Sequence, residues 1–191
     1  MKYTYNSVKK IIKRIDLDDS RWDSILELKA LNDSKYLNDF IVASHHLNWI
    51  VRWVVVEKLA EFKHPNSMKR LVELIDDSDP HVRKNVVKSI KYYGPDIVPI
   101  LIHKFLHNHF RVRLIVRQIL LFFGNDVVDK IVSNINGKNW IIDNQLFYVL
   151  LEIDPDNLDE IMISLLPYNS VQKNCLVILS DSLPSHSISP V

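Results

Sequence analysis

The sequence predicts an all-α protein, a right-handed α-solenoid of about five stacked antiparallel helix pairs behind an N-terminal cap helix. Three observations carry this expectation. A phrase returns with a period of about 30 residues: Val82-Arg83, Val86, Ile90 and Gly94 reappear as Val112-Arg113, Val116, Leu120 and Gly124. The first valine of that phrase anchors a longer series, Val51, Val82, Val112, Ile142 and Val171, at spacings of 31, 30, 30 and 29 residues. Four residues on stand Val55, Val86, Val116, Leu146 and Cys175, and eight on stand Leu59, Ile90, Leu120, Leu150 and Leu179. Residues spaced in this way share one helix face, so each anchored helix carries an apolar stripe. A second apolar segment follows each time: Met68 to Ile75, Ile97 to Leu106, Val127 to Ile135 and Leu158 to Leu166. Two short helices cannot cover their own apolar faces, so such pairs stack, each forming the wall of the next.

Each element has its reason in turn. Val8, Ile11, Ile12 and Ile15 form the inner face of a cap helix over residues 6–15, with Lys9, Lys10, Lys13 and Arg14 outward. The first pair, about residues 20–46, is degenerate, with Trp22, Leu26 and Ala30 read as its stripe and Tyr36, Leu37, Phe40 and Ile41 in its second helix. The next pairs span about 48–78, 79–108, 109–138 and 139–168, followed by a final helix over 170–180 and a Ser/Pro-rich tail over 181–191. The unbroken period makes residues 1–180 a single domain. Pro80 follows Asp79 at a helix start, where its missing amide proton costs nothing. Pro95 opens the next helix in the same way, and Pro99 is early enough in it to be tolerated. Gly94 and Gly124 fall at one repeat position, just past a helix end, where a left-handed cap wants glycine.

Composition narrows the function classes. Only three glycines are present, and two of them are repeat punctuation, so no loop is left to cradle a phosphate. The single cysteine, Cys175, has no disulfide partner and sits in the stripe, which makes it a buried small residue rather than a nucleophile. No segment reaches membrane-spanning length, and Met1 to Ile15 lacks the apolar core of a secretion signal, so a cytoplasmic location is expected.

The run Asp79-Pro80-His81-Val82-Arg83, followed by Gly94-Pro95-Asp96-Ile97-Val98-Pro99-Ile100-Leu101, resembles HEAT-like repeats of the short type described in phycobilisome lyases. The resemblance covers about residues 48–180 and implies a fold more than a function. It implies that the arginine after each anchor pairs with acidic groups of neighbouring repeats, giving a structural ladder of Arg52, Arg83 and Arg113. Asp143 and Gln172 break that series. Asp143 is expected to answer Arg113 across one repeat boundary, as a compensated swap. The resemblance also implies that the second helices line a concave face. Its candidate partner-binding residues are Arg70, Glu73, His103, Lys104, His107, Lys130 and Asn134, in a row with Ile100, Ser133, Glu160 and Ile163.

Two residues before each anchor stand Trp49, Pro80, Phe110 and Trp140, where proline is usual in such repeats. This aromatic edge is a ridge for a protein partner, a set of platforms for unpaired bases, or packing against the preceding helix. Leu114 and Leu121 lie on the outer side of the third full repeat's first helix, which is apolar nearly all round. Charge is polarised although the total is only +1. Residues 79–108 and 109–138 each carry five Lys/Arg against two acids, whereas residues 139–168 carry six acids and no Lys/Arg.

No catalytic constellation emerges. His103 and His107 have the spacing of a metal-binding pair, but no glutamate follows either and no third ligand is evident. The His-Glu motifs of HEAT-repeat deoxyhypusine hydroxylases are absent, so neither metal nor cofactor is expected. The leading expectation is a non-catalytic protein-interaction scaffold, an adaptor, chaperone-like factor or inhibitor, gripping another protein on its concave face. The alternative is nucleic-acid binding through Lys84, Lys88, Lys91, Arg111 and Arg117, because phosphate contacts need clustered cations. A bilin lyase-type subunit is the third.

Overall fold

Valine-anchored stripes and well-formed caps set the architecture. The computed structural model describes residues 4–17, 21–105, 109–153 and 155–182. Among them the helices are α1 (Thr4–Leu17), α2 (Arg21–Lys29), α3 (Leu37–Ala43), α4 (Trp49–Phe62), α5 (Pro65–Glu73), α6 (Pro80–Ile90), α7 (Val98–Phe105), α8 (Phe110–Phe123), α9 (Val128–Val132), α10 (Trp140–Ile153), α11 (Leu158–Leu165) and α12 (Gln172–Ser182). There is no strand among the described residues, and the fold is an α-solenoid of paired helices.

The stripe is buried as the period demands. In α4, α6 and α8 the anchor, fourth and eighth residues, from Val51 to Leu120, are all 0% exposed. Each such side chain contributes roughly 2 kcal/mol by leaving water. In α10, Ile142, Leu146 and Leu150 are buried likewise, and at the end of the array Val171 and Cys175 are.

Helix starts are fixed by side chains that accept from free backbone amides. Asn48 accepts from the Ile50 amide at 3.0 Å to start α4, and Asp79 accepts from the His81 amide at 2.8 Å to start α6, with Pro80 next to it. α5 begins with a reciprocal pair: His64 Nδ1 accepts from the Asn66 amide, and Ser67 Oγ accepts from the His64 amide, both at 3.1 Å.

The repeat position after the first helix is special in a way the sequence only half discloses. Gly94 (φ 70°, ψ −166°) and Gly124 (φ 55°, ψ −133°) do have positive φ. Their ψ, however, places them outside the left-handed helical well, in territory that glycine alone enters freely. The left-handed conformation proper is taken at the equivalent place by Lys63 (φ 47°, ψ 35°).

By its contacts the chain divides into two compact units, Met1–Ile100 and Leu101–Val191, where the unbroken period suggests one domain. In the first, α1 packs on α2, and α4 is central, with α2, α3, α5 and α6 against it. In the second, α8 and α9 pack on α10, and α11 packs on α12. The cap helix buries Val8, Ile11, Ile12 and Ile15 and keeps its basic residues outward, Arg14 pairing with Glu27. The second helix of the 109–138 pair is shorter than its apolar run: a 3-10 turn over Gly124–Val127 precedes five α-helical residues.

The register of the first pair needs correction. Trp22 is 74% exposed and Leu26 64%, so they are not its stripe. Ser24, Ile25 and Leu28 are the buried residues of α2. Shifting the register by two places puts Ser24 at the anchor position and Leu28 four on. Trp22 then occupies the same position as Trp49, Phe110 and Trp140. The misassignment arises because α2 carries apolar residues on both faces. The tail over 183–191 lies outside the described residues.

Candidate partner-binding surface

The arginine ladder is present in the first unit, and its geometry is specific. Arg52, on α4, sends Nε and Nη2 to Asp77 Oδ2 and Oδ1, each at 2.8 Å. Its Nη1 donates to the carbonyls of His46 at 2.7 Å and Leu47 at 2.9 Å, so it ties the turn before its own helix to the turn before the next. Both side chains are buried, at 11% and 6% exposure. Burial by itself pushes the Asp77 carboxyl up. The bonds from Arg52 and the Asp79 amide, with the charges of Arg52 and Arg83, outweigh it and hold the group below the usual carboxylate value. Arg83 repeats the backbone half of the motif, donating to the carbonyls of Asp77 at 2.7 Å and Ser78 at 2.9 Å.

Asp143 takes that position in α10, 1% exposed. Its Oδ2 accepts from the Gly137 amide at 2.9 Å and from Ser170 Oγ at 2.7 Å, and its Oδ1 accepts from the Asn136 amide at 3.4 Å. The expected swap with Arg113 is therefore replaced by a local one. The turn before α10 offers amide protons where the turns before α4 and α6 offer carbonyls, and Gly137, at φ +74°, permits that turn. The role is the same with donor and acceptor exchanged.

The second-helix row divides. Arg70 is engaged: it donates to Ser44 Oγ at 2.6 Å, to the Ser44 carbonyl at 3.1 Å and to Glu73 at 2.8 Å, with His45 Nδ1 at 3.2 Å. It therefore fastens α5 to the end of α3, and of that ion pair only Glu73 is exposed. His103 is exposed on α7 and Lys104 is half-buried. On and after α9, Lys130 and Asn134 are half-buried, Asn134 donating to the Lys130 carbonyl at 2.7 Å. His107 lies outside the described residues. The sequence also gave no sign of Lys58, whose buried ammonium donates to the Lys29 carbonyl at 2.9 Å, to Asn32 and to Glu61. A cation there closes the C-terminal end of α2.

The aromatic edge is open to solvent. Phe110 and Trp140 are each 68% exposed and Trp49 39%, which removes close packing on a preceding helix as their main role. In the first unit, Trp22, Ile25, Trp49, Ile50, Trp53 and His81 wall a cleft of about 540 Å³ together with Arg21. Three successive first helices contribute to it. Trp49 stacks on His81 with centroids 5.2 Å apart, and the Lys29 ammonium sits 4.7 Å from the Trp53 ring centre. Trp49 and Trp53 are one turn apart on α4, a signal the sequence held and the stripe obscured. Outer Leu114 is 41% exposed and Leu121 half-buried.

Of the basic candidates, Arg117 is paired with Glu152, whereas Lys84 and Lys88 on α6 are exposed. No group of three His, Cys, Asp or Glu that could hold a metal occurs among the described residues. Cys175 is 0% exposed, and burial pushes its thiol up, away from nucleophilic behaviour. No described helix is long and apolar enough to cross a membrane.

No curated protein matches the chain. Residues 37–120 match the family of HEAT repeats, a stretch that runs from α3 into α8 and holds the Arg52 and Arg83 rungs. With the recurring anchor stripe, the helix pairs and the arginine ladder in that stretch, residues 37–120 are HEAT-like repeats.

Proposed function

We propose that this chain is a non-catalytic protein-binding scaffold acting in the cytoplasm. HEAT repeats commonly serve as protein-interaction scaffolds. The supporting observation is the exposed aromatic residues at one repeat position, two in each unit. Trp22, Trp49, Phe110 and Trp140 head four first helices at one repeat position and stay exposed although the stripe beneath them is sealed. Large aromatic side chains held rigidly at a surface are the usual anchors of protein interfaces. Each unit adds a solvent-facing polar residue on a second helix, Glu73 in the first and His103 in the second.

The test is affinity capture from lysate of the protein's own source, with nuclease present, comparing the wild type with a Trp49→Ala, Phe110→Ala, Trp140→Ala variant. A His103→Glu, Lys104→Glu variant probes the second helices. A stoichiometric protein retained by the wild type and released by the aromatic variant is the expected result. Capture that vanishes with nuclease, or that neither variant alters, overturns the proposal.

A further inference from the structure

The tryptophan cleft of the first unit has a chemistry of its own. Three of the chain's four tryptophans line it. It continues past Trp53 and His81 into a second hollow of about 410 Å³, whose walls add Lys84, Lys88 and Lys91. No carboxylate lines either part. Lys84 and Lys88 lie one turn apart on α6, both exposed, with no carboxylate partner among the described residues. The acids one and two turns beyond Trp53 on α4 are already neutralised, Glu57 by Lys29 at 2.5 Å and Glu61 by Lys58. An apolar anchor site therefore opens directly onto the charges of Lys84 and Lys88. Asn85, 6% exposed, donates to the Trp53 carbonyl at 2.8 Å and fixes the two parts against each other.

We infer that this groove binds an extended acidic segment of a partner protein. A leucine, phenylalanine or tryptophan of that segment enters the tryptophan end, and flanking carboxylates meet Lys84 and Lys88. The inference rests on the scaffold function proposed above and names the partner's chemistry. Apolar burial at the anchor supplies affinity, and the lysines supply orientation and a faster encounter. A nucleic acid strand fits this groove less well. Base stacking needs an open ring face, and Trp49 is already stacked on His81 while Lys29 occupies a face of Trp53.

The test uses a phage-displayed library of random short peptides selected on the full chain, followed by titration of the selected peptides and of oligothymidylate. The expected pool is enriched in Asp and Glu beside one large apolar residue, with affinity falling several-fold from low to physiological salt. A Trp22→Ala, Trp49→Ala variant weakens the selected peptides on the order of tenfold. A Lys84→Glu, Lys88→Glu variant removes the salt dependence. Both pairs of side chains are solvent-accessible, and unchanged circular dichroism and melting establish that each variant is folded. A pool without acidic enrichment, binding by both variants equal to that of the wild type, or tighter binding of oligothymidylate overturns the inference, as does sedimentation showing that a second copy of the chain occupies the groove. If lysate capture identifies a partner that a Phe110→Ala, Trp140→Ala variant with Trp49 intact releases while the peptide selection fails, the scaffold function stands and this groove's role falls.

Discussion

The turn before α4 and the turn before α10 solve one problem with opposite chemistry. In the first, a guanidinium reaches back to the carbonyls of His46 and Leu47 and forward to Asp77. In the second, a carboxylate reaches back to the amides of Asn136 and Gly137 and forward to Ser170. The repeat therefore demands a buried polar side chain that satisfies its own turn and touches the next, not a positive charge as such. The sign of the charge follows from which backbone groups the turn turns inward.

The largest expected effect comes from breaking the first solution. Arg52→Ala leaves Asp77 buried without its counter-ion and two carbonyls without a donor, and should lower stability by about 3 to 5 kcal/mol in urea denaturation. A result under about 1 kcal/mol would mean water replaces the guanidinium at no cost. The same rung has a pH signature. Because the Asp77 carboxyl is held below its usual value in the folded chain, its contribution is present above the unfolded value of about 3.9 and is lost as pH falls through the folded one. The stability gap between the wild type and Asp77→Asn should accordingly narrow in acid.

Restoring the repeat's usual residue provides the second test. If the turn dictates the side chain, Asp143→Arg destabilises by about 3 kcal/mol, because a buried guanidinium would face amide protons. A neutral or stabilising result would show that the turn inverts easily and that the comparison is one of sequence history alone. The smallest effect expected is at the residue that permits the inverted turn. Gly137→Ala should cost about 1 kcal/mol through its positive φ, since a Cβ there meets Tyr168 only at an ordinary 3.5 Å. No change in melting would show that the turn relaxes.

The sequence showed the fold wherever one residue type marks one environment. The 0, 4 and 8 stripe, the Asp79-Pro80 start and the glycine positions were all legible. The register of α2 was not, since Trp22 and Leu26 are as apolar as Ile25 and Leu28 and only packing decides between them. Lys58 went unnoticed and Arg70 was placed on the partner-binding face for the same underlying reason. Both types are common at surfaces, and what draws them inward is a carbonyl or hydroxyl on a different helix, which no local pattern records. The aromatic positions were visible, but not their exposure, nor the meeting of Trp22, Trp49 and Trp53 in one cleft, because both depend on packing between helices.

Cys175 turns the end of the array into a clock. The thiol, on the buried face of α12, is 0% exposed, and burial pushes it up so that it stays protonated at neutral pH. An alkylating reagent in excess can therefore reach it only when α12 lifts, so the labelling rate measures how often that helix detaches. With one cysteine in the chain, the signal comes from a single place, and opening of the last helix can be timed separately from global unfolding.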